Sequence, residues 1–252
     1  PALIVQSGGD RRGFGKGRAG MQYRDLIPGR YGGRFIASHI QIPTGGPVPD
    51  YVHHHHVRFQ LIFCVNGWVR VVYEDQGEPM LMEAGDCFLQ PPHIRHRVLE
   101  CSDQMEVVEI GCPAEHETCV DHEMTLPTPG LNPDRLFGGQ RFVFHKAAET
   151  KWRPWLVGDI EYQDTGIGEA TNGIASLVVL RATAGAEEVS LSHAGDLRFL
   201  FVLEGTAHFD DGGSGQWDLR AGDSCAIPSS SSCRLSEISS GFKTLELSVP
   251  SL

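Results

Sequence analysis

The sequence predicts an all-β protein made of two sandwich or barrel domains related by internal duplication. Three observations predict it. Short β-branched and aromatic runs recur along the whole chain with Gly, Pro and Asp between them, and no long helical period interrupts them. The chain also aligns with itself at an offset of about 139 residues, setting Tyr23 and Asp25 on Tyr162 and Asp164, and Met82-Glu-Ala-Gly-Asp86 on Leu219-Arg-Ala-Gly-Asp223. Between the copies lies Thr125-Leu-Pro-Thr-Pro-Gly-Leu-Asn-Pro133, whose prolines oppose regular structure.

In chain order, Leu3-Ile-Val5 opens as a strand and is followed by a Gly-rich basic arm, Asp10 to Arg18, read as flexible. The first copy carries strands at Phe35–Ile42, Phe59–Val65, Trp68–Tyr73 and Met105–Ile110. The second repeats them at Ser176–Leu180, Arg198–Leu203 and Lys243–Val249. The acidic segment Ala114–Met124 is expected as a short helix. The domain division is then 1–20 for strand and arm, 21–112 for the first domain, 113–139 for a Pro-rich linker and 140–252 for the second domain. Leu3-Ile-Val5 and Phe142-Val-Phe144 precede their domains and are expected to add to a neighbouring sheet, since bare strand edges tend to be covered. That neighbour is either the other domain or another chain, so a homo-oligomer through barrel or arm strands stays open.

Composition narrows the function classes. The 252 residues carry a net charge of −11, which opposes binding to nucleic acid or anionic lipid. No apolar run is long enough to cross a bilayer, and the opening Pro1-Ala-Leu-Ile-Val-Gln-Ser has no export-signal pattern. Seven cysteines without metal-type spacing read as free, mostly buried thiols in a reducing cytoplasm.

The chemistry concentrates in Tyr51-Val-His-His-His-His-Val-Arg-Phe-Gln60 and Pro91-Pro-His-Ile-Arg-His96. Side chains of an extended segment repeat every two residues, so His54, His56 and Gln60 are placed on one face, with His96 closing the set from a neighbouring strand. Three imidazoles and an amide oxygen suit a first-row divalent cation. The blander readings are a purification tag or an accidental surface cluster. The run is internal and sits in a hydrophobic strand pattern, which opposes the first. His53 and His55 then alternate away from the metal, towards a surface or interface.

These residues resemble the two motifs of the cupin superfamily, over nearly the whole chain. The first motif is His-x-His, three or four residues, Glu, six residues, Gly, matched here by His54, His56, Gln60 and Gly67. The second is Gly, five residues, Pro, one residue, Gly, two residues, His, matched by Gly85, Pro91 and His96, with His93 in place of the inner glycine. The resemblance implies two cupin (double-stranded β-helix, or jelly-roll) barrels and one divalent metal per chain, iron(II) first, with manganese, nickel or zinc as alternatives. Gln60 in place of the usual glutamate leaves the metal its full charge. It is read as a ligand, the alternatives being a place behind the ligands or an inward amide satisfied by a hydrogen bond.

In the second copy Ser192, Ala194, Arg198 and Cys233 fall at the positions of His54, His56, Gln60 and His96, so that cupin is expected to hold no metal. Arg58 is a candidate clamp for a substrate carboxylate, or else faces solvent. His39 either lines the cavity as an acid–base group or caps a sheet face. Trp68, Tyr73 and Phe88 are read as cavity wall or plain core. The resemblance implies a metal-dependent enzyme acting on a small, anionic or enolisable substrate, with dioxygenase chemistry first. A non-oxidative isomerase, cyclase or lyase, and a non-catalytic small-molecule binder, are the alternatives.

Overall fold

The structure is a computed structural model and describes residues 2–8, 14–17, 20–155 and 158–251. The chain divides into two compact units, Gly13–Ala147 and Pro1–Arg12 with Ala148–Leu252. Each is an all-β jelly roll of two antiparallel sheets, as the strand pattern predicts.

In the first unit, one sheet runs Val143–His145, Cys87–Gln90, Phe59–Asn66, Met105–Cys112, Ile36–Ile42, Gln22–Asp25, Gly15–Lys16. The other runs Thr118–Val120, His53–His55, His96–Cys101, Trp68–Tyr73, Met80–Glu83, with Gly46–Pro47 added to His96–Cys101. Ile40, Val69, Met82, Phe88 and Val107 belong to one hydrophobic cluster drawn from both sheets.

The second unit repeats this order. Its large sheet is Ile4–Gln6, Ser224–Ile227, Leu197–Glu204, Lys243–Val249, Ser176–Ala182, Ile160–Asp164, Arg153–Pro154. Its small sheet is Ala186–Ser190, Arg234–Ile238, Thr206–Asp210, Gln216–Arg220. Among the described residues, each copy has one four-residue helical turn, Arg30–Gly33 and Ile167–Ala170.

The motif turns explain part of the repeat. Gly67 and Gly205 sit at φ 74° and 73°, and Gly85 and Gly222 at 95° and 89°, where only glycine is free of Cβ strain. At the inner glycine of the second motif the backbone keeps the left-handed conformation without glycine: His93 has φ 67° and Ser230 φ 65°. Replacing that glycine by His93 therefore leaves the turn as it was.

Three expectations change. The arm strands do cover sheet edges, but each does so in the other copy. Ile4–Gln6 pairs with Ser224–Ile227, and Val143–His145 pairs with Cys87–Gln90. The duplicated Asp of Ala-Gly-Asp anchors them, Asp86 accepting from Ala147 N–H at 2.9 Å and from Lys146 Nζ at 2.6 Å, and Asp223 accepting from Gly8 N–H. The stretch 113–139 is not free linker but part of the first unit, because Thr118–Val120 pairs with His53–His55. That pairing also replaces the short helix expected over Ala114–Met124. Most of the basic arm Asp10–Arg18 lies outside the described residues.

Candidate metal centre

The histidine run divides its side chains between the two faces of the short strand His53–His55. His96 is the direct antiparallel partner of His53, so the two rings share a face. His53, His55 and His96 offer ligand nitrogens that all lie within 4.8 Å of one another. Their ring centroids are 5.1 Å (His53 to His55), 4.3 Å (His53 to His96) and 5.3 Å (His55 to His96) apart. His53 and His96 are buried and His55 is half-buried.

The expected grouping of His54 and His56 with His96 is therefore corrected. Those two rings point to the opposite face, where they meet His93. The reason lies between His55 and Gln60. His53–His55 belongs to one sheet and Phe59–Asn66 to the other, and the chain crosses between them over 56–58. There His56 N–H donates to Glu117 O at 3.0 Å and Arg58 N–H to Cys112 O at 2.6 Å. Alternation cannot be counted through that crossing. The motif itself accepts either register, since His53-x-His55, four residues, Gln60 satisfies it equally.

Two of the three inward imidazoles, His53 and His96, are held in one tautomer. A carbonyl oxygen only accepts, so Nδ1 carries the proton where it meets Tyr51 O at 2.8 Å (His53) and Ile94 O at 3.1 Å (His96). Nε2 of each neutral ring then keeps its lone pair, as metal-binding histidines require. His55 Nδ1 lies 3.0 Å from the Thr118 hydroxyl, which can accept in the same way.

These rings open on a cavity of about 780 Å³ in the first unit, also lined by Gln60, Tyr73, Gln90, Glu109 and Arg30. The side-chain oxygens of Gln60, Gln90 and Tyr73 are buried without a hydrogen-bond partner. Buried polar atoms in that condition are costly unless something is bound. Convergent imidazoles with fixed lone pairs beside unpartnered oxygens fit a divalent cation, with Gln60 in place to offer its amide oxygen. Much of the remaining wall is apolar, including Ile40, Ile62, Val71, Phe88 and Val107, with Asp25, Ser38, Asp50 and Thr118 among its polar members.

Burial, with the Glu109 carboxylate adding to it, pushes the Tyr73 hydroxyl well above the usual phenol range. It stays protonated at working pH. Its ring stacks on His96 with centroids 5.6 Å apart, and Phe142 of the exchanged arm backs it at 4.5 Å. Burial also raises the thiols flanking the site, Cys64 to about 12 and Cys87 further, so neither is a nucleophile.

Neither secondary candidate reaches the cavity. His39 lies buried on the other face of its strand, 2.8 Å from Glu106 Oε2 and 3.2 Å from Arg24 Nη2, with Phe14 against its ring. Arg58 falls in the crossing segment and does not line the cavity, nor does Trp68. The lining arginine is Arg30, whose side chain is 40% exposed. Glu109 had a readable signal, since Met105, Val107 and Glu109 alternate onto the cavity face and put one carboxylate among apolar residues. His116 also lines the cavity and had no such signal.

The second unit has none of this apparatus. Among the described residues, every cluster with metal-ligand geometry lies in the first unit. Arg198, at the position of Gln60, pairs with Glu246 at 2.8 Å, and Cys233, at that of His96, is buried in the hydrophobic core. With the register corrected, Leu191 falls at His53 and His193 at His55, and Leu191 is core while His193 Nε2 donates to Ile227 O at 2.9 Å.

Residues 38–111 match the cupin domain model. Among solved structures, the chain is similar to a salicylate 1,2-dioxygenase from Pseudaminobacter salicylatoxidans, at 18% identity and TM-score 0.71, over 98% of this chain and 84% of that one. It is similar to protein Ylba from E. coli at 11% identity and TM-score 0.69, over 98% and 90%. It is also similar to the oxalate decarboxylase of Bacillus subtilis, described with Mn(II) centres, at 14% identity and TM-score 0.67, over 99% and 78%. No curated protein sequence matches the chain. The first unit thus carries a cupin domain match over residues 38–111, and the chain as a whole shares the twice-repeated jelly-roll fold of these solved structures.

Proposed function

We propose that this cupin is a metal-dependent enzyme that acts on a small organic substrate with an apolar body and an anionic or enolisable head. The metal is one iron(II) ion at His53, His55 and His96, with Gln60 as the oxygen ligand, and the chemistry is of the dioxygenase type. The observation that carries this is the convergence of three imidazoles, two of them tautomer-fixed, on a cavity where the side-chain oxygens of Gln60, Gln90 and Tyr73 lack partners. A cation held there supplies Lewis-acid polarisation of a substrate oxygen and, as iron(II), electrons for oxygen chemistry.

The chain's own groups divide the remaining work. The apolar wall takes the body of the substrate and excludes water from the polar end. The Tyr73 hydroxyl, fixed in its protonated form, donates to an oxygen of the substrate head as charge develops on it. Glu109 accepts the proton that an enolisable or phenolic substrate releases. Arg30 supplies the counter-charge for a carboxylate.

Oxygen uptake on addition of a panel of 2-hydroxybenzoates and 1,3-diketones tests the reading. Uptake stoichiometric with substrate loss supports it. Turnover undiminished under argon would instead assign the site to isomerase or lyase chemistry. With a substrate found, Tyr73→Phe is expected to lower kcat by about 10²-fold with little change in KM, the size typical of a lost proton-donating group. Arg30→Ala should raise KM for carboxylate substrates and leave uncharged ones unaffected.

A further inference from the structure

We propose a second divalent-cation site on the outer face of the same strand, formed by His54, His56 and His93, with zinc as the cation it suits. Their ligand nitrogens all lie within 4.8 Å of one another. The ring centroids are 5.5 Å (His54 to His56), 5.8 Å (His54 to His93) and 4.7 Å (His56 to His93) apart, close to the spacing of the inner three.

Two further features point to a ligand. His54 Nδ1 is buried and has no hydrogen-bond partner, in contrast to the satisfied Nδ1 atoms of His53 and His96. A second ligating group also shares His56. Cys119 Sγ lies 3.7 Å from His56 Nε2, and Glu117 Oε2 lies 3.4 Å from His56 Nδ1. Cys119 is the register partner of His54, which puts it on the same outer face. Three imidazoles, one of them also reached by a thiol and a carboxylate, supply donors of the kinds zinc prefers, with a fourth ligand from that second group or from solvent.

The placement gives the site a role. His54 and His56 flank the inner ligand His55, and His93 sits three residues before His96, on a turn whose N–H donates to His55 O at 3.1 Å. A cation on the outer face would clamp together the two segments that carry the inner imidazoles. It would hold their spacing whether or not the inner site is loaded.

Equilibrium dialysis against zinc, on full-length protein prepared without a polyhistidine tag, tests the proposal. The wild type should bind two equivalents and His93→Gly one. Glycine takes the φ of 67° at that position without strain, so this variant removes a ligand and keeps the turn. The double variant His53→Ala, His55→Ala should keep one equivalent and lose it when His93→Gly is added. Zinc should raise the melting temperature of that double variant, and a chelator should reverse the shift. A single wild-type equivalent that His93→Gly leaves in place, two equivalents in His93→Gly, or zinc bound undiminished by the triple variant would overturn the site.

Discussion

Replacing His53 by Ala should abolish tight binding at the proposed inner metal site and the turnover that depends on it, whereas replacing His54 by Ala should keep the inner ion and cost only the support that an outer clamp gives. The two residues are neighbours in a four-histidine run, so composition cannot separate them. The separation comes from the direct pairing of His53 with His96 and the opposite orientation of His54. Losing a group that merely supports a ligand lowers metal affinity by roughly 10–100-fold, and loss of a ligand should exceed that. His96→Ala should match His53→Ala. Elemental analysis for iron, manganese, nickel and zinc, on protein prepared without a tag or added metal, reads the stoichiometry. Activity lost with His54→Ala and kept with His53→Ala would return the site to the register that unbroken alternation predicts.

That contrast marks where the sequence stops being readable. Strands such as Trp68–Tyr73 and Lys243–Val249 appear where their residue pattern sets them, because local β-preference and burial of one face agree. The duplication was legible for a related reason: turn glycines and the Ala-Gly-Asp anchor are fixed by backbone geometry that both copies must satisfy. Parity at the histidines was not legible, since it depends on where the chain leaves one sheet for the other, and Val57 and Arg58 carry no breaker residue to show it. The segment 113–139 misled for the opposite reason. Its prolines do exclude long strands, yet three residues, Thr118–Val120, suffice to close the edge beside His53–His55. Of the cavity's remaining polar groups, Glu109 could be found by alternation. Arg30 could not, because it enters from the helical turn Arg30–Gly33 rather than from a strand.

Arg198→Ala should destabilise the second unit by about 3–5 kcal/mol, the usual cost of stripping one partner from a buried ion pair. Arg198 and Glu246 meet at 2.8 Å with side chains only 12% and 5% exposed, and Arg198 Nε has no further partner. Removing the guanidinium leaves a carboxylate among core residues with its desolvation uncompensated. The expected fall in melting temperature is on the order of 10 °C or more for a unit of this size. Tryptophan fluorescence reports it directly, since Trp152, Trp155 and Trp217 all belong to this unit. Replacing both partners at once, Arg198→Met with Glu246→Leu, should recover most of the loss, because a buried pair exchanged for apolar groups is often neutral or better. If the single variant melts with the wild type, the pair does not hold this barrel together. If it melts early and the double variant does not, the buried pair holds this barrel only so long as both charges are present. An arginine at the position of Gln60 then both fills the place where a ligand would stand and repels the ion it would bind.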